Sequence, residues 1–88
     1  MTKASNKIVK IIGSDHCKSC SILYDLIKNY IEQKKINIKI KKINSTSDEA
    51  IDLAMNFEIN SIPFAIFKNK KIIFYKTINK DDLKNFLA

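Results

Sequence analysis

Apolar and polar residues follow two different periods along the chain, and these periods predict its elements. A short β-branched run over Lys7–Ile12 predicts a buried strand. From Cys17 to Lys35 apolar residues recur every three to four positions, which predicts a helix with one apolar face. That face is formed by Ile22, Leu23, Leu26, Ile27, Tyr30 and Ile31. Residues Ile36–Ile43 then alternate between isoleucine and polar residues, which predicts a strand whose lysines suit a sheet edge.

The second half of the chain continues with a helix, two strands and a last helix. Thr46 followed by Glu49 is a capping-box pattern, and it predicts a helix from about Asp48 to Phe57. The residues of this helix expected to point inward are Ile51, Ala54 and Met55. Strands are predicted at Phe64–Phe67 and Lys71–Lys76, joined by a tight turn into a hairpin.

Asn79 followed by Asp82 predicts the start of the last helix. The resulting order, β-α-β-α-β-β-α, indicates an α/β fold with a four-stranded mixed sheet flanked by three helices. Its first βαβ unit should hold parallel strands, and its hairpin antiparallel ones. The chain of 88 residues has the size of one domain, spanning 1–88, with the polar residues 1–6 expected to be loose.

The charge of the chain is strongly basic, at a formal +7 from 16 lysines and no arginine. Because arginine is the residue best suited to phosphate and base contacts, we expect no specific nucleic-acid partner. The lysines predict a solvated surface with a mild preference for acidic partner proteins. We expect no membrane association, since no apolar run is long enough to span a bilayer, and no signal peptide is recognisable. A cytoplasmic monomer is the resulting expectation.

Cys17 and Cys20 form a C-x-x-C pair at the junction of the first strand and the first helix. Free N–H groups at a helix N-terminus favour a thiolate, so we expect Cys17 to have a pKa below the usual thiol value and to act as the nucleophile. Cys20, one turn on, can attack a mixed disulfide formed by Cys17. With His16 the pair could also supply metal ligands, but a second ligand pair is missing, so no metal site within one chain is expected. A cluster shared between two chains stays open.

Four features together resemble thioredoxins and glutaredoxins over nearly the whole chain after Lys7. They are the Cys17–Cys20 pair opening a helix, Ile62-Pro63 before the third strand, the strand-turn FAIFKNKKI and the closing DLKNFL. The resemblance implies a thioredoxin fold and a thiol–disulfide oxidoreductase that reduces protein disulfides. The resemblance also implies that the protein has no bound cofactor beyond a redox-active Cys17–Cys20 disulfide, and that thioredoxin reductase or glutathione reduces this disulfide again. The alternatives are a glutaredoxin-type glutathione-dependent reductase, a redox-inert binding module and a metal-cluster-binding module.

The same resemblance assigns roles to residues around the two cysteines. It implies a cis peptide bond before Pro63, and backbone hydrogen bonds from Ile62 to a bound substrate strand. Phe64 either lines the substrate groove or packs in the core. His16 stands where thioredoxins usually have Trp, and Lys18 and Ser19 replace their Gly-Pro pair. These three residues either tune the reactivity of the cysteines or are solvent-exposed surface residues.

Some positions depart from the family pattern. Thioredoxins usually carry a buried acid in the first strand, where this chain has Ile11. Protons must then move through water, Lys10 or another group, or proton transfer must be slower. The glycine that usually follows the last strand is absent from residues 76–79, which weakens the case for a glutathione cleft. Asp81 and Asp82 either resemble the acids with which glutaredoxins hold glutathione or serve as helix N-terminal charges.

Overall fold

A computed structural model describes residues 8–14, 16–74 and 78–87. Within these residues the elements follow the predicted order. They are β1 (Ile8–Gly13), α1 (Lys18–Lys34), β2 (Lys39–Asn44), α2 (Asp48–Asn56), β3 (Phe64–Phe67), β4 (Lys70–Ile73) and α3 (Lys80–Phe86). The residues expected to be loose, 1–6, lie outside the described part, as do residues 75 and 76 at the end of the predicted last strand.

The described strands form one mixed sheet in the order β2-β1-β3-β4. β1 runs parallel to β2, with Ile8 opposite Lys39, and antiparallel to β3, with Ile12 opposite Phe64. β3 and β4 form the predicted antiparallel hairpin. β2 lies at an edge of the sheet, as its lysines predicted, and its Lys39, Lys41 and Lys42 are exposed.

The two faces of the sheet carry separate apolar clusters because successive side chains of a strand point in opposite directions. On one face Val9 and Ile11 pack with α1 and α3, and on the other Ile12 packs with α2. The buried residues of the two helices on the first face include Leu23, Ile27, Ile31, Leu83 and Phe86. The fully buried strand β3 contributes to both clusters, with Ala65 and Phe67 on the first and Phe64 and Ile66 on the second.

Each described helix begins with a side chain that accepts a hydrogen bond from the N–H three residues later. The capping residues are Cys17 for α1, Ser47 for α2 and Asn79 for α3. The predicted Asn79 cap is therefore confirmed, whereas the Thr46 cap was wrong by one residue. The Thr46 hydroxyl instead donates to Oδ1 of Asn44, at 2.8 Å, in the turn before α2.

The inward face of α2 differs from the prediction. Ala50, Leu53, Ala54 and Phe57 pack against the sheet, while Ile51 is 47% exposed and Met55 is 71% exposed. Two overlapping apolar stripes were available on this helix, and only one can face the sheet. The stripe that does so combines the small Ala50, which allows close approach, with the larger side chains of Leu53 and Phe57. Two apolar side chains of α2 are consequently left in solvent.

Candidate functional site

Cys17 and Cys20 are joined by a disulfide bond at the start of α1. Cys17 is the N-cap of this 17-residue helix, and its Sγ accepts a hydrogen bond from the N–H of Cys20 at 3.1 Å. The first turn of α1 contains no acidic residue. The positive end of the helix dipole therefore faces the Cys17 sulfur without a neighbouring carboxylate in that turn to offset it.

The two cysteines differ in exposure. Cys17 is partly exposed, whereas Cys20 is 8% exposed and belongs to the buried residues of α1. A partner can therefore approach the Cys17 sulfur more readily than the Cys20 sulfur.

Gly13, the last residue of β1, makes room for Cys20. A Cβ added to Gly13 would lie 2.5 Å from Sγ and 2.8 Å from Cβ of Cys20. Any other residue at this position would therefore displace the cysteine or the strand. The sequence alone gave Gly13 no role. The available signal was that it is the only glycine of the chain and stands four residues before Cys17.

Pro63 lies at the same end of the sheet. Its peptide bond with Ile62 is cis, which confirms the expectation drawn from the resemblance. Ile12 pairs with Phe64 in the antiparallel register, so continuing this register by one residue places Pro63 next to Gly13. Pro63 itself is buried, and its carbonyl accepts a hydrogen bond from the N–H of Phe74 at 3.2 Å.

The residues on either side of Pro63 have opposite surroundings. Ile62 is 42% exposed and offers its backbone at the surface, whereas Phe64 is 1% exposed and packs in the α2-side cluster. An edge of Phe64 also lines a cleft beside Ile62. A contact of any of these three residues with a substrate stays a prediction.

The three residues expected to tune the cysteines lie around the disulfide without bonding to it. His16 and Lys18 are exposed, and Ser19 is partly exposed. The only hydrogen bond to either sulfur within the described residues is the one donated by the Cys20 N–H. A tuning role for these residues would therefore act through charge and solvent access.

A cavity of about 460 Å³ opens beside Cys20 on the α1 side of the sheet. Ile11 lines this cavity at the position of the missing strand acid, and polar walls come from Asp25 and Lys42. The ammonium of Lys42 also lies 4.7 Å from the ring centre of Tyr24. Polar groups thus reach the neighbourhood of Cys20 from α1 and β2 rather than from β1.

Lys10, suggested from the sequence as a proton carrier, occupies the opposite face of the sheet. Its Nζ forms an ion pair with Oε2 of Glu49 on α2 at 3.0 Å. Since Cys20 packs on the α1 face, Lys10 is not placed to exchange a proton with it, and that suggestion was wrong.

Metal ligation was the other chemistry considered for the cysteine pair. No group of three or more His, Cys, Asp or Glu side chains suited to a metal ion occurs in the described residues. A cluster shared between two chains would draw ligands from a second molecule, and it stays an untested alternative.

No helix among the described residues is both long and apolar enough to cross a membrane.

Comparison with known proteins places this geometry in a known fold. No protein-family model matches the sequence, and no curated protein matches it either. The backbone is similar to that of thioredoxin 1 from the thermophilic eubacterium Thermosipho africanus TCF52B, with a TM-score of 0.58 over 91% of this chain and 89% of that one. This chain has the thioredoxin fold. Sequence identity to that thioredoxin is 16%, so the likeness establishes the fold and leaves the activity to be argued from the site.

Two of the motifs that resembled thioredoxins occupy defined positions in this fold. The Cys17–Cys20 pair opens α1, and the cis bond before Pro63 leads into β3. Of residues 76–79, where the terminal glycine is missing from the sequence, residues 76 and 77 lie outside the described part. Asp81 and Asp82 are exposed in the first turn of α3, and the Asp82 N–H donates to Oδ1 of Asn79. Their position is that of helix N-terminal charges.

Proposed function

We propose that the protein is a thiol–disulfide oxidoreductase that reduces protein disulfides through Cys17 and Cys20. The observation that carries the proposal is the asymmetric pair itself. Cys17 is partly exposed at a helix N-terminus, and Cys20, bonded to it, is buried one turn further on. An accessible attacker with an adjacent, protected resolving thiol is what a dithiol exchange requires.

The reaction begins with both cysteines reduced. The Cys17 thiolate attacks one sulfur of a substrate disulfide, the substrate S–S bond breaks, and a mixed disulfide forms. The leaving substrate thiolate takes a proton from solvent. Free N–H groups at the start of α1 stabilise the attacking thiolate, as the Cys20 N–H already does for the bonded sulfur.

Resolution follows inside the protein. Cys20 loses its proton to water or to a polar group of the adjacent cavity, and its thiolate attacks Sγ of Cys17. The mixed disulfide breaks and the second substrate thiolate departs. The substrate has gained two electrons, and the Cys17–Cys20 disulfide has formed. An external thiol reductant, thioredoxin reductase or glutathione, then returns two electrons to the pair.

Insulin reduction with dithiothreitol tests the activity. The native protein should accelerate precipitation of the insulin B chain, and Cys17→Ser should abolish the acceleration. Cys20→Ser is the matched control, because it keeps the attacker. Once it has been reduced and the dithiothreitol removed, it should accumulate a mixed disulfide with insulin, visible by mass spectrometry. Full activity of Cys17→Ser would overturn the role of Cys17 as the attacking residue. No activity of the native protein would overturn the proposal and favour a redox-inert or cluster-binding module.

A second assay identifies the reductant. The oxidised protein is offered NADPH with thioredoxin reductase and, separately, NADPH with glutathione reductase and glutathione. We expect turnover with thioredoxin reductase, because the sequence weakens the case for a glutathione cleft. Turnover only in the system that contains glutathione reductase and glutathione would make the protein a glutaredoxin-type enzyme. A cytoplasmic, monomeric protein with disulfide-containing proteins as partners is part of the same proposal.

A further inference from the structure

A cleft of about 610 Å³ lies on the α2 side of the sheet, next to the segment that ends in Pro63. Four large apolar side chains are exposed among the described residues, and three of them line this cleft. The three are Ile51, Met55 and Ile62. Because exposed apolar side chains are concentrated here, the cleft has the character of a binding surface.

The cleft adjoins the disulfide. Ile62 lines it and is followed by Pro63, which the sheet register places beside Gly13. Gly13 in turn is in contact range of Cys20. A polypeptide whose cystine meets the Cys17 sulfur therefore has the cleft within reach of its neighbouring residues.

The charge around this cleft is opposite to that of the whole protein. Residues 43–67 contain none of the 16 lysines and four of the nine acidic residues. Glu58 lines the cleft and is exposed. Asp48 and Asp52 are also exposed and share a helix face with Met55, because residues three and four apart are neighbours on a helix.

The lysines that approach α2 have partners that are not among the residues lining the cleft. Lys10 and Lys41 pair with Glu49, and the ammonium of Lys71 donates to the carbonyl of Phe57 at 2.7 Å. A separate cavity on the same face of the sheet has Lys10 and Lys68 in its wall, so the basic surface lies there. Glu58 is the one charged residue among those that line the apolar cleft, in a protein of net charge +7.

We infer that this cleft binds the segment of the partner protein that flanks its disulfide, and that the preferred segment carries an apolar side chain next to basic residues. The apolar side chain covers Ile51 and Met55, and the basic residues face Asp52 and Glu58. The inference rests on the proposed function, whose substrate class it names. It reverses the preference for acidic partners that net charge alone suggests.

The test uses disulfide-bonded peptides that are identical except beside the cystine. One carries leucine and three lysines there, a second carries leucine and three glutamates, and a third has serine in place of leucine with the lysines kept. The second-order rate of their reduction by the reduced protein is measured at 10 mM and at 1 M salt. We expect the lysine peptide to react roughly ten times faster than the glutamate peptide at low salt, with a ratio near one at high salt.

Three variants locate the effect. Glu58→Gln and Asp52→Asn should each lower the low-salt ratio about twofold to threefold, while Glu32→Gln should leave it unchanged. Glu32 is a matched control because it is an exposed glutamate at the far end of α1, about 20 Å along the helix from Cys17. Met55→Gln should slow reduction of the leucine–lysine peptide and leave the serine peptide unaffected. The melting temperature of the Met55→Gln variant should equal that of the native protein, since Met55 is exposed.

A small neutral disulfide, 2-hydroxyethyl disulfide, separates this inference from the proposed function. If the protein reduces it but shows no preference among the peptides, or if the preference survives both acidic substitutions, the inference is overturned and the redox chemistry stands. If none of the disulfides is reduced, the proposed function fails. Binding is then decided by amide chemical shifts of the oxidised protein with serine-for-cysteine peptides. Shifts at Ile51, Met55 and Glu58 with the lysine peptide alone uphold the cleft, and their absence overturns it.

The same spectra test whether a second copy of the chain fills the cleft instead. If the signals of Ile51, Met55 and Glu58 move with protein concentration in the absence of peptide, the occupant is another molecule of this protein and the inference is wrong.

Discussion

Gly13 and Cys20 approach each other so closely that a Cβ on the glycine would lie 2.5 Å from the cysteine sulfur. This contact joins the end of β1 to the first turn of α1. Because Gly13 has no side chain, Cys20 can pack against the end of β1 and be more buried than Cys17. The depth of Cys20, and with it the asymmetry of the pair, depends on the absence of a side chain at Gly13.

Gly13→Ala should therefore disturb the site more than a typical glycine-to-alanine change in a strand. Gly13 has no positive φ, so alanine is tolerated by the backbone and the cost comes from the contact with Cys20. We expect a loss of about 1–3 kcal/mol in the free energy of unfolding of the oxidised protein, measured by urea denaturation. Ser14→Ala, at the exposed neighbouring position, is the control and should be close to neutral.

The cause can be checked by removing the sulfur. In a Cys20→Ala background, without the disulfide, Gly13→Ala should cost less, because the closest clashing atom is gone. Strict additivity of the two substitutions would show that the contact is not responsible.

Cys17 should stabilise α1 as its N-cap as well as reacting with substrates. In a Cys20→Ser background, where no intramolecular disulfide forms, Cys17→Ala removes the side-chain acceptor for the N–H of residue 20. Cys17→Ser keeps an acceptor there. We expect the alanine variant to be less stable than the serine variant by about 1 kcal/mol in chemical denaturation. Equal stability of the two would mean that the hydrogen bond contributes little to the helix.

Ile62 and Phe64, on either side of Pro63, should respond differently to substitution, because Ile62 lies at the surface and Phe64 in the core. Phe64→Ala should cost about 3 kcal/mol or more in the free energy of unfolding, because Phe64 is nearly fully buried against α2. Ile62→Ser should cost less than about 1 kcal/mol, because this side chain is already partly in solvent. The same variant should raise KM in insulin reduction. A large stability loss for Ile62→Ser, with KM unchanged, would contradict a surface role.

The sequence allowed the elements and the cysteine pair to be predicted because their signals are local. Strand and helix periods, helix caps and C-x-x-C spacing are each contained within a few residues. The inward face of α2 was predicted wrongly because Ile51 and Met55 compete with Leu53 and Phe57 for the sheet. Only packing against the sheet decides that competition.

The parts of the site that escaped prediction depend on contacts between distant residues. The role of Gly13 appears only when β1 and α1 are brought together. The pairing of Lys10 with Glu49 likewise appears only when α2 packs on the sheet. The face on which Lys10 lies, by contrast, follows from strand alternation next to Ile11 and could have been predicted. The apolar cleft beside Ile62 likewise forms only when α2 and the segment that ends in Pro63 pack together.

Glu49 should make stability depend on pH in the acid range. The hydrogen bond from the Lys10 side chain, with further attraction from Lys10 and Lys41, holds the pKa of the Glu49 carboxyl below its ordinary value of 4.5. A carboxyl with a lowered folded-state pKa contributes stability above its ordinary pKa and loses it as pH falls through the folded-state pKa. Glu49→Gln should therefore lower the free energy of unfolding at pH 7 by less than about 1 kcal/mol, since the ion pairs are partly exposed. The difference between the variant and the native protein should be smaller at pH 2.5 than at pH 7, and 1 M salt should shrink the difference at pH 7. Urea unfolding at the two pH values measures this, and a difference that stays the same at both would assign the effect of Glu49 to packing rather than charge.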